Sequence, residues 1–239
     1  MTQRTKPPFR ADMVGSLLRT AAVKQARAQR EKGAIDAAQL KEVEDREIEK
    51  IIKKQEEVGL KLATDGEFRR AWWHFDFFSM LDGVELYELD HGIQFQGVQT
   101  KMQSIKVTGK IGFSNHPMLE HFKFLKAHTK VTPKMCIPAP SQMHFRLEPG
   151  AVAKSAYPDR DAIFDDLAMA YQNAIKAFYA AGCRYLNVTP APQGSTGIAL
   201  RVIGECGDPQ SACVAQYVQS KCSGGPNNGL NCNTDADCP

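Results

Sequence analysis

The sequence predicts an α/β fold with a parallel sheet. Short apolar runs alternate with amphipathic stretches of helical period, the connections are short, and glycine or proline marks most boundaries. That rhythm fits an open doubly wound sheet or a barrel. It runs through about five strands up to Thr189 and then stops. Size agrees: 239 residues, 43% of them hydrophobic, suffice for one large domain or two small ones with a real core.

Each element has its own local reason. Residues 10–18 read as a short strand running into a Gly15-Ser16 turn. Residues 20–32, rich in Ala, Gln, Arg and Lys and stopped by Gly33, form a helix. Asp36 caps the next helix, with Gln39 three residues on in capping-box position. Along it Leu40, Val43, Ile48, Ile51, Ile52 and Val58 make one buried stripe, and Gly59 ends it. Residues 60–64 are a strand that stops at Asp65-Gly66-Glu67. The aromatic-rich stretch 68–81 reads as a helix closing at Asp82-Gly83. Alternation over 84–113 predicts one or two β-hairpins leading into a barrel-type strand at 106–111. A helix at 116–128 and a strand at 134–138, broken by Pro138 and Pro140, follow. Residues 161–181 are an amphipathic helix stopped by Gly182, and 183–188 are the next strand.

Composition excludes several functions. A net charge of +3 with no compact Lys/Arg block is not a nucleic-acid footprint. No run of 18 apolar residues predicts a membrane span, and the polar, basic start lacks a signal-peptide core, so a soluble cytoplasmic protein is expected. The cysteines pull the other way. Five of seven (Cys206, Cys213, Cys222, Cys232, Cys238) crowd the last 34 residues, a composition typical of disulfide-rich secreted segments. Their spacings match no zinc ribbon, and no P-loop or strand-linked G-x-G-x-x-G occurs.

Candidate chemistry sits where parallel folds place ligands, past the C-terminal ends of strands. In an extended chain Asp65 and Glu67, two residues apart, point to one side and together hold an ammonium group; equally, they cap the following helix. Gly15-Ser16 offers backbone N–H groups and a hydroxyl to a carboxylate, or is a plain turn. His74, within Trp72-Trp73-His74-Phe75, is an acid–base group or, the favoured reading, a structural donor. Cys136 and Cys183 read as buried, inert thiols.

Several ordered stretches together resemble the cobalamin-independent methionine synthase family, in its short single-barrel form. They are Ala11-Asp12-Met13-Val14-Gly15-Ser16-Leu17-Leu18-Arg19, the helix around Glu44-Asp45 and Gln55, Thr64-Asp65-Gly66-Glu67 with Arg69-Arg70, and Trp73-His74-Phe75-Asp76-Phe77. Ile137-Pro138-Ala139-Pro140-Ser141 with His144-Phe145 and Ala181-Gly182-Cys183-Arg184-Tyr185-Leu186 continue the series. The resemblance spans residues 8–188. It implies a (β/α)8 TIM barrel in which zinc activates the homocysteine thiol to take a methyl group from a methyl-folate. By position, Gly15 and Ser16 match the turn that holds the amino-acid carboxylate. Glu67 matches the acid that holds the ammonium, with Asp65 beside it; His74 is grouped with these as substrate-binding.

The departures carry their own expectations. The family's zinc ligands, a His-x-Cys pair, a Glu and a late Cys, come from its last three strands. This chain has no His beyond His144 and no His-x-Cys. Where the family has an Asp after its Tyr-Leu-Gln-like run, Tyr185-Leu186-Asn187-Val188 is followed by Thr189-Pro190. The expectation is therefore an incomplete barrel over 1–189, about five of eight strands, with an irregular or foreign tail over 190–239. Functionally that is a truncated or chimeric, inactive form of a 5-methyltetrahydropteroyltriglutamate–homocysteine S-methyltransferase, with no metal ligand and no assigned catalytic residue. Two alternatives stay open: a non-catalytic half-barrel binding an amino acid or thiol, and another member of the uroporphyrinogen decarboxylase and coenzyme M methyltransferase superfamily. The tail alone points to a third, a secreted disulfide protein. Expected partners are a small thiol or amino acid and a folate-type substrate, with self-association through exposed sheet edges.

Overall fold

The computed structural model describes residues 7, 9, 11–89, 103–159 and 161–189, and the backbone of four short strands beyond them. Its helices are α1 (Ala21–Glu31), α2 (Ala37–Glu57), α3 (Phe75–Phe78), α4 (Met118–His128), α5 (Pro140–Arg146) and α6 (Ala162–Ala180). Its strands are β1 (Leu62–Ala63), β2 (Asp82–Glu88), β3 (Gln94–Phe95), β4 (Val98–Gln99), β5 (Gln103–Gly112) and β6 (Thr132–Pro133). After them come β7 (Met135–Pro138), β8 (Leu147–Val152), β9 (Leu186–Thr189), β10 (Ala199–Arg201) and β11 (Gln216–Val218). The chain divides into two compact units: Met1–Asp76 with Phe113–Cys136 and Gln172–Leu186, and Phe77–Gly112 with Ile137–Tyr171 and Asn187–Pro239.

In the first unit the Asp36–Gln39 cap behaves as the sequence predicts, while Thr20, read from the sequence as the first helical residue, is the cap of α1. The Thr20 side chain accepts from the Val23 N–H to start α1. Asp36 and Gln39 form a reciprocal capping box on α2, with bonds of 2.8 and 2.9 Å. Ile48 and Ile52, one turn apart, bury fully against Val23, Ala63, Phe68 and Leu125. Each large aliphatic side chain placed there contributes roughly 1.5–3 kcal/mol. β1 runs parallel to β6, pairing Leu62 with Thr132 and Ala63 with Pro133. Pro133 interrupts the donor row, and Lys134 N–H restores it by bonding Ala63 C=O at 2.9 Å.

β7 pairs with β9. Met135 N–H bonds Tyr185 C=O and Ala139 N–H bonds Thr189 C=O, the same step of four residues on both strands, so the pair is parallel. In the second unit β2 and β5 are antiparallel, β5 and β8 are parallel, and Val107 of β5 pairs with Val84 and Val152. Gly83 takes φ +73 beside Lys110 and Gly109, where any Cβ would meet backbone atoms within 3 Å. Tyr157 ties this sheet to α6: its hydroxyl donates to Asp166 at 2.8 Å and accepts from the Ile111 N–H at 2.7 Å. β3 with β4, and β10 with β11, are antiparallel pairs.

Four expectations change. Residues 11–18 form no strand; their bonds go to side chains and turns of other segments. The stretch 68–81 is a series of turns with one helical turn, α3, because Asp76 accepts the Ala71 and Trp72 N–H groups and holds the chain off a helical path. Residues 106–111 lie in β5, in the separate β2–β5–β8 sheet, not in a barrel strand. Instead of about five barrel strands, the described residues show three parallel segments of that type, β1, β6–β7 and β9, and do not form a full barrel. Helix α5 and strand β8 add elements the sequence reading lacked. Apart from β10 and β11, the tail and its five cysteines lie outside the described residues. Among the described residues no helix is long and apolar enough to cross a membrane.

Candidate functional site

The site is built from the turn that follows β1 and the segment laid beside it. Gln55, buried on α2, uses both ends of its amide: Oε1 accepts the Thr64 N–H at 3.0 Å and Nε2 donates to the Thr64 C=O at 2.8 Å. It thereby satisfies the backbone where β1 stops, a net gain of about 0.5–1.5 kcal/mol per bond. The Thr64 hydroxyl donates to the Gly15 C=O at 2.6 Å and accepts from the Gly66 N–H at 3.2 Å. Leu17 N–H closes the corner on the Gly66 C=O at 3.0 Å. Two motifs far apart in sequence are thus joined by backbone and one hydroxyl.

The turn itself is left-handed at two successive residues, Gly66 with φ +66 and Glu67 with φ +55. A non-glycine residue in that region is uncommon and stores strain. The extended geometry expected for Asp65 and Glu67 is therefore absent. Asp65 turns back on its own loop, its Oδ1 accepting the Glu67 N–H at 2.8 Å, while the Glu67 carboxylate pairs with Arg70. Burial pushes both carboxyls above their ordinary range. For Glu67, Arg70 opposes that shift and Asp65 reinforces it. Arg19 caps the loop from outside, donating to the Arg70 C=O at 2.5 Å and the Glu67 C=O at 3.4 Å. Arg27 bonds the Phe68 C=O at 2.6 Å, and Arg69 pairs with Asp45 and Glu44 of α2. The whole Asp65–Arg70 turn is strapped to α1 and α2.

Gly15 has φ +133 and is buried; a Cβ on it would lie 2.9 Å from Cys136 Sγ and 2.9 Å from Glu67 Oε1. Glycine is what lets the backbone come this close to both. Ser16 is exposed. His74 is buried with its ring 4.1 Å from that of Phe75 and 4.9 Å from that of Trp73. The bonds that join Gly15, Thr64, Gly66 and Glu67 do not involve it. Cys183 is buried and its thiol is pushed up to about 11 by desolvation, matching an inert role. Cys136 differs from expectation: it is half-buried, donates to the Val14 C=O and borders Gly15. Sequence reading also missed Thr64 as the hub and Arg19 and Arg70 as flanking cations, although all three stand in the stretches that carry the resemblance. Among the described residues no group of three or more His, Cys, Asp or Glu side chains is placed to hold a metal ion.

Parallel strands with a Gly-Ser turn and an acidic turn meeting past a strand end define an α/β protein with its candidate site where parallel folds place ligands. A family model described as the cobalamin-independent synthase catalytic domain matches residues 9–218, and the chain belongs to that family. Two uncharacterized Bacillus subtilis (strain 168) proteins, YxjG and YxjH, are 54% and 50% identical to it over 188 residues. Each match covers 78% of this chain and 49% of the relative, so the chain spans about half the length of the curated relatives it matches. A 5-methyltetrahydropteroyltriglutamate–homocysteine methyltransferase of Thermosynechococcus vestitus is 31% identical over 142 residues, 59% of this chain and 18% of that protein. A solved Listeria monocytogenes protein, described as a candidate vitamin-B12-independent methionine synthase, superposes with a TM-score of 0.65 at 42% identity. That match covers 86% of this chain and 57% of the other.

Proposed function

We propose that this chain captures the amino-acid end of a small thiol substrate of the homocysteine type, and that it does not by itself transfer a methyl group. One observation carries the reading: Gly15 and Glu67 share a corner in which a single Cβ would touch the Glu67 carboxylate. Ser16, exposed beside Gly15, is available to a substrate carboxylate. Glu67, with Asp65 behind it, is available to an ammonium, which would take over from Arg70 as counter-charge. Burial raises both carboxyls, so a cation entering the corner favours their ionised forms. Capture therefore strengthens as pH rises through their titration.

The family is of the zinc-dependent type that uses a methyl-folate. Zinc, when bound, keeps the substrate thiol deprotonated. The described residues do not fit such a centre: Cys136 stands beside Glu67 without a third ligand-type side chain, and His74 is packed among aromatic rings. We read residues 190–239 as a segment foreign to the barrel part at 1–189; a transcript that continues past residue 189 into strand-six sequence with His-x-Cys would mean that this segment is an artefact.

Calorimetric titration with L-homocysteine and L-methionine tests the reading. The wild-type chain is expected to bind one equivalent, and Glu67→Gln, verified as folded by circular dichroism, to bind at least about tenfold more weakly, the cost of one charge-assisted bond. No binding by the wild type, or equal binding by Glu67→Gln, refutes the capture site. Methionine formation from methyl-folate by the zinc-supplemented chain refutes the inactive part.

A further inference from the structure

Lys134 lies at the break between β6 and β7 and is only 3% exposed. A buried ammonium needs compensating partners, and Asp12 and Met13, hydrogen-bond acceptors for Lys134, lie on one segment. Its Nζ donates to Asp12 Oδ1 at 2.7 Å and to the Met13 C=O. It stands 5.1 Å from the centre of the Tyr185 ring, whose hydroxyl donates to the other Asp12 oxygen. Two residues further along the strand, Cys136 Sγ donates to the Val14 C=O. Residues 12, 13 and 14 are thus gripped one after another, immediately before Gly15. The carbonyls that a strand ladder would have used are taken by side chains.

We propose that Lys134 is a positioning residue for the candidate site: by gripping Asp12 and Met13 it sets how close Gly15-Ser16 sits to Glu67, without touching the ligand. The geometry leaves little slack. Gly15 already lies where a methyl group would stand 2.9 Å from two walls, and binding sites tolerate displacements of only about 0.5 Å before contacts suffer. Neutralising Lys134 removes the charge that holds Asp12 and lets the whole turn shift. The affinity part of this proposal rests on the amino-acid reading of the corner; the grip itself does not.

The test uses the full chain as Lys134→Met, Lys134→Arg and Asp12→Asn. Alkylation by iodoacetamide, read peptide by peptide, reports on Cys136, with buried Cys183 as internal reference. L-methionine affinity is measured on the same samples. Lys134→Met is expected to speed Cys136 labelling at least fivefold while Cys183 stays slow, and to weaken methionine binding at least tenfold. Lys134→Arg restores part of both, and Asp12→Asn gives a smaller change in the same direction. If Lys134→Met also unmasks Cys183 it has unfolded, and Asp12→Asn, altered at an exposed carboxylate, then decides. Unchanged Cys136 labelling in the folded variants overturns the grip. Faster labelling with unchanged affinity reduces Lys134 to a structural role and overturns the positioning. If the wild-type chain binds no methionine, the amino-acid reading fails, and the positioning with it, while Cys136 labelling still decides the grip.

Discussion

Gly15→Ala probes the corner most directly. At φ +133 an alanine is strained by about 1–3 kcal/mol. Its methyl would press on Cys136 Sγ and Glu67 Oε1, each 2.9 Å away, and such overpacking costs a further ~1–3 kcal/mol. Reduced freedom of the unfolded chain returns about 0.4–1 kcal/mol. The balance is a loss of about 3 kcal/mol. Gly33→Ala is the control: its φ is +71, but a Cβ there meets nothing within 4 Å, so only the left-handed penalty of about 1 kcal/mol remains. Urea unfolding followed by tryptophan fluorescence suits the comparison, because the chain's two tryptophans, Trp72 and Trp73, both belong to the first unit. With a urea slope of about 1–3 kcal/mol per molar, the two variants should differ by on the order of 1 M in midpoint. Adding Cys136→Ala to Gly15→Ala removes one wall and should recover about 1 kcal/mol. If Gly15→Ala and Gly33→Ala unfold within about 0.5 kcal/mol of each other, the corner is not formed as described.

Other consequences are as concrete. Gln55→Leu strands the Thr64 N–H and C=O in a buried setting and should cost about 3 kcal/mol in the same assay; a loss near zero would mean the amide is not holding the end of β1. Asp65 and Glu67 have folded-state proton affinities above their ordinary 3.8 and 4.5. The folded state therefore binds more protons, and their contribution to stability is full below those values and declines as pH rises through the elevated ones. Asp65→Asn keeps the acceptor for Glu67 N–H but cannot ionise. Its urea midpoint should fall less than that of the wild type between pH 4 and pH 7, and parallel declines would contradict the buried-acid argument. In the second unit, Tyr157→Phe removes the hydroxyl shared by Ile111 and Asp166. The expected loss is about 1–3 kcal/mol, read by circular dichroism of urea unfolding; an unchanged midpoint would count against that tie.

Helices α1, α2, α4 and α6 were legible in the sequence because their signals are local: Gly33 as a stop after an Ala/Gln/Arg/Lys run, an Asp36–Gln39 box, apolar residues at one-turn spacing and Gly182 as a stop. β7 and β9 were legible for the same reason, as short apolar runs ending in proline or polar residues. Alternation at 106–111 identified a strand but not its partners, which are fixed by residues far away on β2 and β8. Residues 10–18 have the composition of a strand, yet nothing local says that Lys134, Cys136 and Tyr185 will take the place of a neighbouring strand. The aromatic content of 68–81 favoured a helix, and the left-handed Gly66–Glu67 pair with the Asp76 bonds prevented one. At the site, Gly15, Ser16, Asp65 and Glu67 announce themselves as motifs. The hub role of Thr64 and the approach of Cys136 do not, since both exist only once the segments meet.

The anchoring of residues 12–15 also dictates an order of events during synthesis. They leave the ribosome early, yet the atoms that receive them belong to Thr64, Lys134, Cys136 and, last, Tyr185, 173 positions downstream of Asp12. Closing contacts of such separation is slow compared with forming α1 or α2. What is made among the first is seated among the last, so nascent chains must carry the Gly15-Ser16 turn as a loose end until Tyr185 has been translated.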